Sequence, residues 1–158
     1  MFTLRMRTRL GVPDDAPALA ALISLAYRVE DFFKTCDRTD AAEVRDKMTH
    51  GAFIVLEDNE GMAGCVYVSV NGGLGYFGML AVDPSRQGQG LGARLIGDAE
   101  DHCRRAGCRE IEIEVVNLRT ELPPYYRRFG YAEAGTRPFM DIDKTSRPCH
   151  SIVMSKRL

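Results

Sequence analysis

The stretch VDPSRQGQGLGARLI, Val82 to Ile96, decides how the chain is read. Gly88, Gly90 and Gly92 alternate with other residues directly ahead of an amphipathic helical pattern. Helix N-termini leave several N–H groups unpaired and carry partial positive charge, so they attract anions. Glycine lets a ligand reach the backbone where a Cβ would block it. Arg86 adds a cation beside the loop. A pyrophosphate held by the loop and the first helical turn is one reading. A glycine-rich helix cap without a ligand is another, and the stretch alone leaves both open.

Two further phosphate motifs fit worse. A Walker-type loop needs Gly-Lys followed by Ser or Thr, which does not follow these glycines. Gly88-x-Gly90-x-x-Ala93 does match the dinucleotide fingerprint, with Glu112 or Glu114 about 20 residues on, where a ribose-binding acid would sit. That fingerprint requires a strand running straight into its first glycine, and Asp83-Pro84-Ser85-Arg86-Gln87 intervenes.

The rest of the chain sets bounds. Its 158 residues suit a single domain spanning 1–158, which can bury about two-thirds of its unfolded surface. With 45% hydrophobic and 27% charged residues, the composition is that of a soluble globular protein. A net charge of −1 from 21 basic and 22 acidic residues argues against nucleic acid or an anionic membrane as partner. No apolar run approaches the roughly 18 residues of a membrane span. Cys36, Cys65, Cys103, Cys108 and Cys149 are scattered, without a CxxC pair. Reduced thiols, no metal and a cytoplasmic location are the expectation.

Arg5, Arg7 and Arg9 alternate with apolar residues, which predicts a half-buried strand over Thr3 to Leu10. Pro13-Asp14-Asp15 opens a helix carrying Leu19, Leu22, Ile23 and Ala26 at helical spacing, and a shorter helix follows Thr39-Asp40. Ala52 to Glu57, Met62 to Val70 and Leu74 to Val82 read as a meander, the last two joined at Asn71-Gly72-Gly73. After the glycine loop, Leu91, Leu95, Ile96, Ala99 and Cys103 share one helix face, and Gly107 ends it. Arg109 to Val116 alternates Ile and Val with Glu as a strand. A short helix around Tyr125 to Phe129 and strands near Tyr131 to Thr136 and Cys149 to Lys156 close the chain. The expected fold is an α/β (α+β) sheet with helices on both faces.

Read as Gln87-x-x-Gly90-x-Gly92, the loop resembles the acetyl-CoA-binding motif of the GNAT superfamily, the Gcn5-related N-acetyltransferases. LPPYYRRFGY, Leu122 to Tyr131, resembles a second signature of that family, and Asn117 falls where members often carry an asparagine. The span from Asn117 to Tyr126, holding Pro123-Pro124, is longer than the common spacing. The element order resembles the family's along almost the whole chain. It implies a GNAT fold: a central mixed, mostly antiparallel twisted sheet of six to seven strands.

The resemblance implies an N-acetyltransferase moving the acetyl group of acetyl-CoA to a primary amine by direct attack in a ternary complex. A non-catalytic acyl-CoA-binding or sensor domain of the same fold is the alternative. It implies acetyl-CoA binding by the backbone near Leu80, Ala81 and Val82, with a main-chain N–H near Leu80 polarising the thioester carbonyl. The loop and helix start (Gln87, Gly88, Gln89, Gly90, Leu91, Gly92 and Ala93) would hold phosphate, with Asn117 and Tyr126 nearby. Tyr126 takes the family position of the acid that protonates the leaving thiolate, and Tyr125 competes because only one of the two can face inward. For the base, Leu74 to Met79 offers no carboxylate, which leaves Glu114 or Glu112 acting through water, unless that Glu face is simply solvated. His150 is a further candidate near the acceptor. Cys149 beside it points to the opposite face of a strand, which argues against an acyl-cysteine route. Acceptor recognition would come from Tyr27, Glu30, Asp31, Phe32 and Phe33, and a homodimer would be common for the family.

Overall fold

The computed structural model describes residues 5–158. A seven-stranded sheet has the order β1-β2-β3-β4-β5-β7-β6. Its strands are β1 (Arg7–Leu10), β2 (Ala52–Asp58), β3 (Gly61–Asn71), β4 (Leu74–Val82), β5 (Glu110–Val116), β6 (Ala132–Pro138) and β7 (His150–Arg157). Every pairing is antiparallel except β4 with β5, which is parallel. The helices are α1 (Ala16–Ala26), α2 (Ala41–Met48), α3 (Leu91–Arg105) and α4 (Leu122–Arg127). This is the mixed, mostly antiparallel sheet with helices on both faces that the sequence predicts.

The two faces bury separate cores. On one, Leu95, Ile96, Ala99 and Cys103 of α3 meet Ile111, Ile113 and Val115 of β5 and Val66 and Val68 of β3. On the other, Leu19, Leu22 and Ile23 of α1 and Val44 of α2 meet Phe53, Val55, Cys65 and Tyr67. The Ile/Glu alternation of β5 thus sends its aliphatic side chains under α3, as the period-2 pattern requires. Asp40 caps α2 by accepting the Glu43 N–H at 2.8 Å, the role expected of an acid at that position.

Three expectations shift. The predicted first strand is observed only over Arg7–Leu10; Thr3 and Leu4 lie outside the described residues. Leu10 is 56% exposed, and this edge strand is held instead by ion pairs from Arg9 to Asp15 (2.8 Å) and Glu57 (3.0 Å). The short helix begins at Leu122 rather than near Tyr125, because Pro123 and Pro124 fit a first helical turn, where the missing N–H costs nothing. The last two strands each begin one residue later than the sequence suggests and end at Pro138 and Arg157, a frame that their mutual pairing sets.

Candidate active site

The loop before α3 is shaped by its glycines. Gly88 and Gly90 have φ of +80° and +75°, a left-handed conformation that only glycine adopts cheaply. Gly90 is the N-cap of α3, so the first N–H groups of the helix meet no capping side chain. Leu91 is buried in the α3-side core and fixes the helix start, while Gln87, Gly88, Gln89, Gly90 and Ala93 are exposed. Gly92 lies beneath Tyr125, whose hydroxyl would stand 3.0 Å from a Cβ there. These open, uncapped N–H groups form a cradle that fits a phosphate group. Arg86 does not join it: its guanidinium pairs with the buried Asp58 at the end of β2. The cation expected beside the loop is therefore a structural tie.

A cleft opens between β4 and β5. β4 and β5 stay in register only over Leu74–Glu110, Gly75–Ile111 and Tyr76–Glu112, and then part. The gap is about 530 Å³, with Tyr27, Glu30, Leu80, Glu114 and Tyr126 among its lining. β4 also carries a bulge. Tyr67 pairs with Gly78 and Cys65 with Ala81, so β4 spends one residue more than β3. Met79 absorbs the irregularity at φ +49°. The bulge switches faces: Phe77 belongs to the α3-side core, whereas Met79 and Ala81 belong to the α1-side core. Leu80 is thereby left at the cleft, next to backbone that the β3 ladder cannot fully pair.

Tyr126 lines this cleft and is 8% exposed. Its ring packs at 6.0 Å from Phe77 and 5.1 Å from Tyr125. Burial pushes its phenol up in pKa, with Tyr27 and Tyr125 adding to the effect and Arg119 opposing it. It is therefore protonated at neutral pH, the state a proton donor needs. Tyr125 instead faces the α3 N-terminus and lines a separate shallow pocket with Pro124 and Arg128.

The remaining candidates scatter. Glu114 lines the cleft, 3.6 Å from the Arg137 guanidinium, while Glu112 is held by the same arginine at 3.2 Å and is not part of the lining. Asn117 ties β5 to β7: its Oδ1 accepts the His150 N–H at 2.9 Å, and its own N–H donates to the His150 carbonyl at 2.9 Å. Asn117 and His150 do not line the cleft, nor do Ala81 and Val82. Of the acceptor candidates, Tyr27 and Glu30 reach the cleft. Phe33 is fully buried, Phe32 lies under the Arg147 guanidinium, and Asp31 faces a separate small hollow.

Two contributors were not visible as site residues in the sequence. Arg119 donates to Glu30 at 3.0 Å and also pairs with Glu121, so it anchors a cleft carboxylate from 89 positions away. Tyr76 lines the cleft from β4. Arg119 lacks a local signal, but a tyrosine two residues before Gly78 on one strand face was a readable hint.

The splayed β4–β5 pair thus stands beside a glycine loop at a helix start, within one mixed sheet. Residues 19–131 match the model of the acetyltransferase (GNAT) family, and the chain belongs to that family. Acetyltransferase Atu2258 of Agrobacterium fabrum is 32% identical over 94 residues, covering 58% of this chain and 64% of that protein. The match thus spans less than two thirds of that relative. In fold, the chain is similar to Ard1 from Thermoplasma volcanium (TM-score 0.79, 16% identity, 97% of each chain). It is also similar to yncA from Salmonella typhimurium, solved with its cofactor acetyl-CoA (TM-score 0.71, 20% identity, 97% of this chain and 94% of that one).

Proposed function

We propose that this chain is an N-acetyltransferase that uses acetyl-CoA and a primary amine, held together in a ternary complex. The observation that carries the reading is the pairing of two features toward the C-terminal end of β4: the uncapped α3 N-terminus and the cleft where β4 leaves β5. The first suits the pyrophosphate of the donor, and the second admits an amine along the half of β4 that leads into the loop. The neighbour solved with acetyl-CoA supports the choice of donor.

In this reading the donor supplies the thioester, and the chain supplies position and protons. The loop from Gln87 to Ala93 holds phosphate through its backbone. The β4 bulge directs the Leu80 N–H at the thioester carbonyl, where a preorganised donor of this kind contributes roughly 3 kcal/mol. The amine nitrogen forms the new C–N bond as the C–S bond breaks. Tyr126 delivers its proton to the departing sulfur, and Glu114 receives the proton that the amine loses, directly or through a water. Most of the acceleration comes from holding the two reactants in line.

Tyr126→Phe tests the reading, because it removes one hydroxyl from a buried ring and leaves the packing in place. A fall in kcat of about 100-fold, with acetyl-CoA binding retained, is expected. Unchanged turnover of a confirmed amine would remove Tyr126 from the role.

A further inference from the structure

On β4, Tyr76 and Gly78 lie two residues apart on one face of the sheet, before the bulge alters the alternation. A Cβ at Gly78 would stand 2.5 Å from the Tyr76 hydroxyl oxygen and 3.0 Å from its Cζ. The ring therefore lies along the strand, with its hydroxyl over position 78. Any larger residue at 78 would lift the phenol from this seat.

The location of that hydroxyl matters. Tyr76 is the last β4 residue in register with β5, so it stands where the cleft begins. Tyr67 braces its ring edge-on at 6.4 Å. Across the gap, Glu114 lies two residues beyond Glu112, the register partner of Tyr76, on the same face. Burial first, and the Glu114 carboxylate second, push the Tyr76 phenol up in pKa, so it remains a neutral hydroxyl.

We propose that the Tyr76 hydroxyl binds the acceptor: it takes a hydrogen bond from the attacking amine and aims the nitrogen along β4 toward the bulge, with Gly78 serving as the slot that keeps the phenol in this orientation. The inference rests on the acetyltransfer reading. In the balanced step the phenol of Tyr76 keeps its own proton. The amine proton passes to the Glu114 side, and the sulfur is protonated from Tyr126. Tyr76 thus contributes to binding and aim, and its loss should weigh on the KM for amine more than on any donor parameter.

The experiment compares the full chain with Tyr76→Phe, Gly78→Ala and the double variant. The probes are ethanolamine, tyramine, spermidine and a short peptide with a free N-terminal alanine. Acetyl-CoA binding is followed by thermal melting and turnover by thiol release. Tyr76→Phe should raise the amine KM about 5- to 10-fold, the scale of one neutral hydrogen bond, with the acetyl-CoA melting shift unchanged. Gly78→Ala should act in the same direction. The double variant should be no worse than the worse single, because both remove one interaction. An amine KM and kcat within twofold of the parent in Tyr76→Phe would overturn the proposal. Effects that multiply in the double variant would overturn the role of Gly78. Tyr76→Phe, which keeps the ring, decides the matter if Gly78→Ala does not fold. A parent that acetylates none of these amines overturns the acetyltransfer reading, and this inference with it.

Discussion

The Arg86 guanidinium closes on the Asp58 carboxylate and so joins the turn before the glycine loop to the end of β2. Asp58 is 3% exposed and also accepts the Glu60 N–H at 2.8 Å. The arginine, helped by that N–H, holds the carboxyl below its usual range against the opposing effect of burial.

A folded-state pKa below the unfolded one means that the pair stabilises the fold above the unfolded value, about 4. The contribution fades as pH falls through the lower, folded value. Arg86→Ala should therefore be less stable at pH 7 and lose less stability on acidification below pH 5, about one unit above the unfolded pKa. Urea midpoints of parent and variant at several pH values check this. Parallel pH dependences would show that Asp58 owes nothing to Arg86.

Saturating acetyl-CoA should raise the melting temperature of the parent. At 100 times Kd the ligand adds about 2.7 kcal/mol, or roughly 5–10 °C for a domain of this size.

Gly90→Ala should reduce both stability and that shift. Its Cβ meets no neighbour within 4 Å, so the cost is conformational: φ +75° is strained for alanine by about 1–2 kcal/mol. A lower melting point with a smaller acetyl-CoA shift is expected. A full shift would mean that the cradle does not depend on the loop conformation.

Tyr125→Phe should separate from Tyr126→Phe. The Tyr125 hydroxyl sits by Gly92 at the α3 N-terminus, away from the cleft. Its removal should change the KM for acetyl-CoA by less than about 10-fold, one hydrogen bond's worth, and spare kcat. A loss concentrated in kcat would exchange the roles of the two tyrosines.

Glu100 gives a test of stability apart from activity. It is 6% exposed, accepts the Tyr131 hydroxyl at 2.8 Å and pairs with Lys156 at 3.0 Å. Glu100→Ala strands both partners and should cost about 3 kcal/mol, read as a fall in the urea midpoint. Activity per folded molecule should be unchanged, since Glu100 does not line the cleft. A kcat loss in a fully folded variant would contradict that separation.

Much of this architecture was legible in short windows of sequence. The Ile/Glu alternation of β5, the Asn71-Gly72-Gly73 hairpin and the glycines before α3 each carry a local physical signal, and each appears where expected. The frame of α4 was missed because proline reads both as a helix breaker and as a helix opener, and neighbouring packing selects between them.

By itself the sequence determined the order of elements, the aliphatic faces and the glycine loop ahead of α3, because periodicity and backbone freedom act over a few residues. Only the tertiary structure decided that Arg86 serves Asp58, 28 positions earlier, and that Arg119 serves Glu30, 89 positions earlier. It alone decided that β4 bulges against β3 and parts from β5 after Tyr76. A bulge or a splay belongs to a pair of strands rather than to either one, so its cause lies in residues brought together by folding.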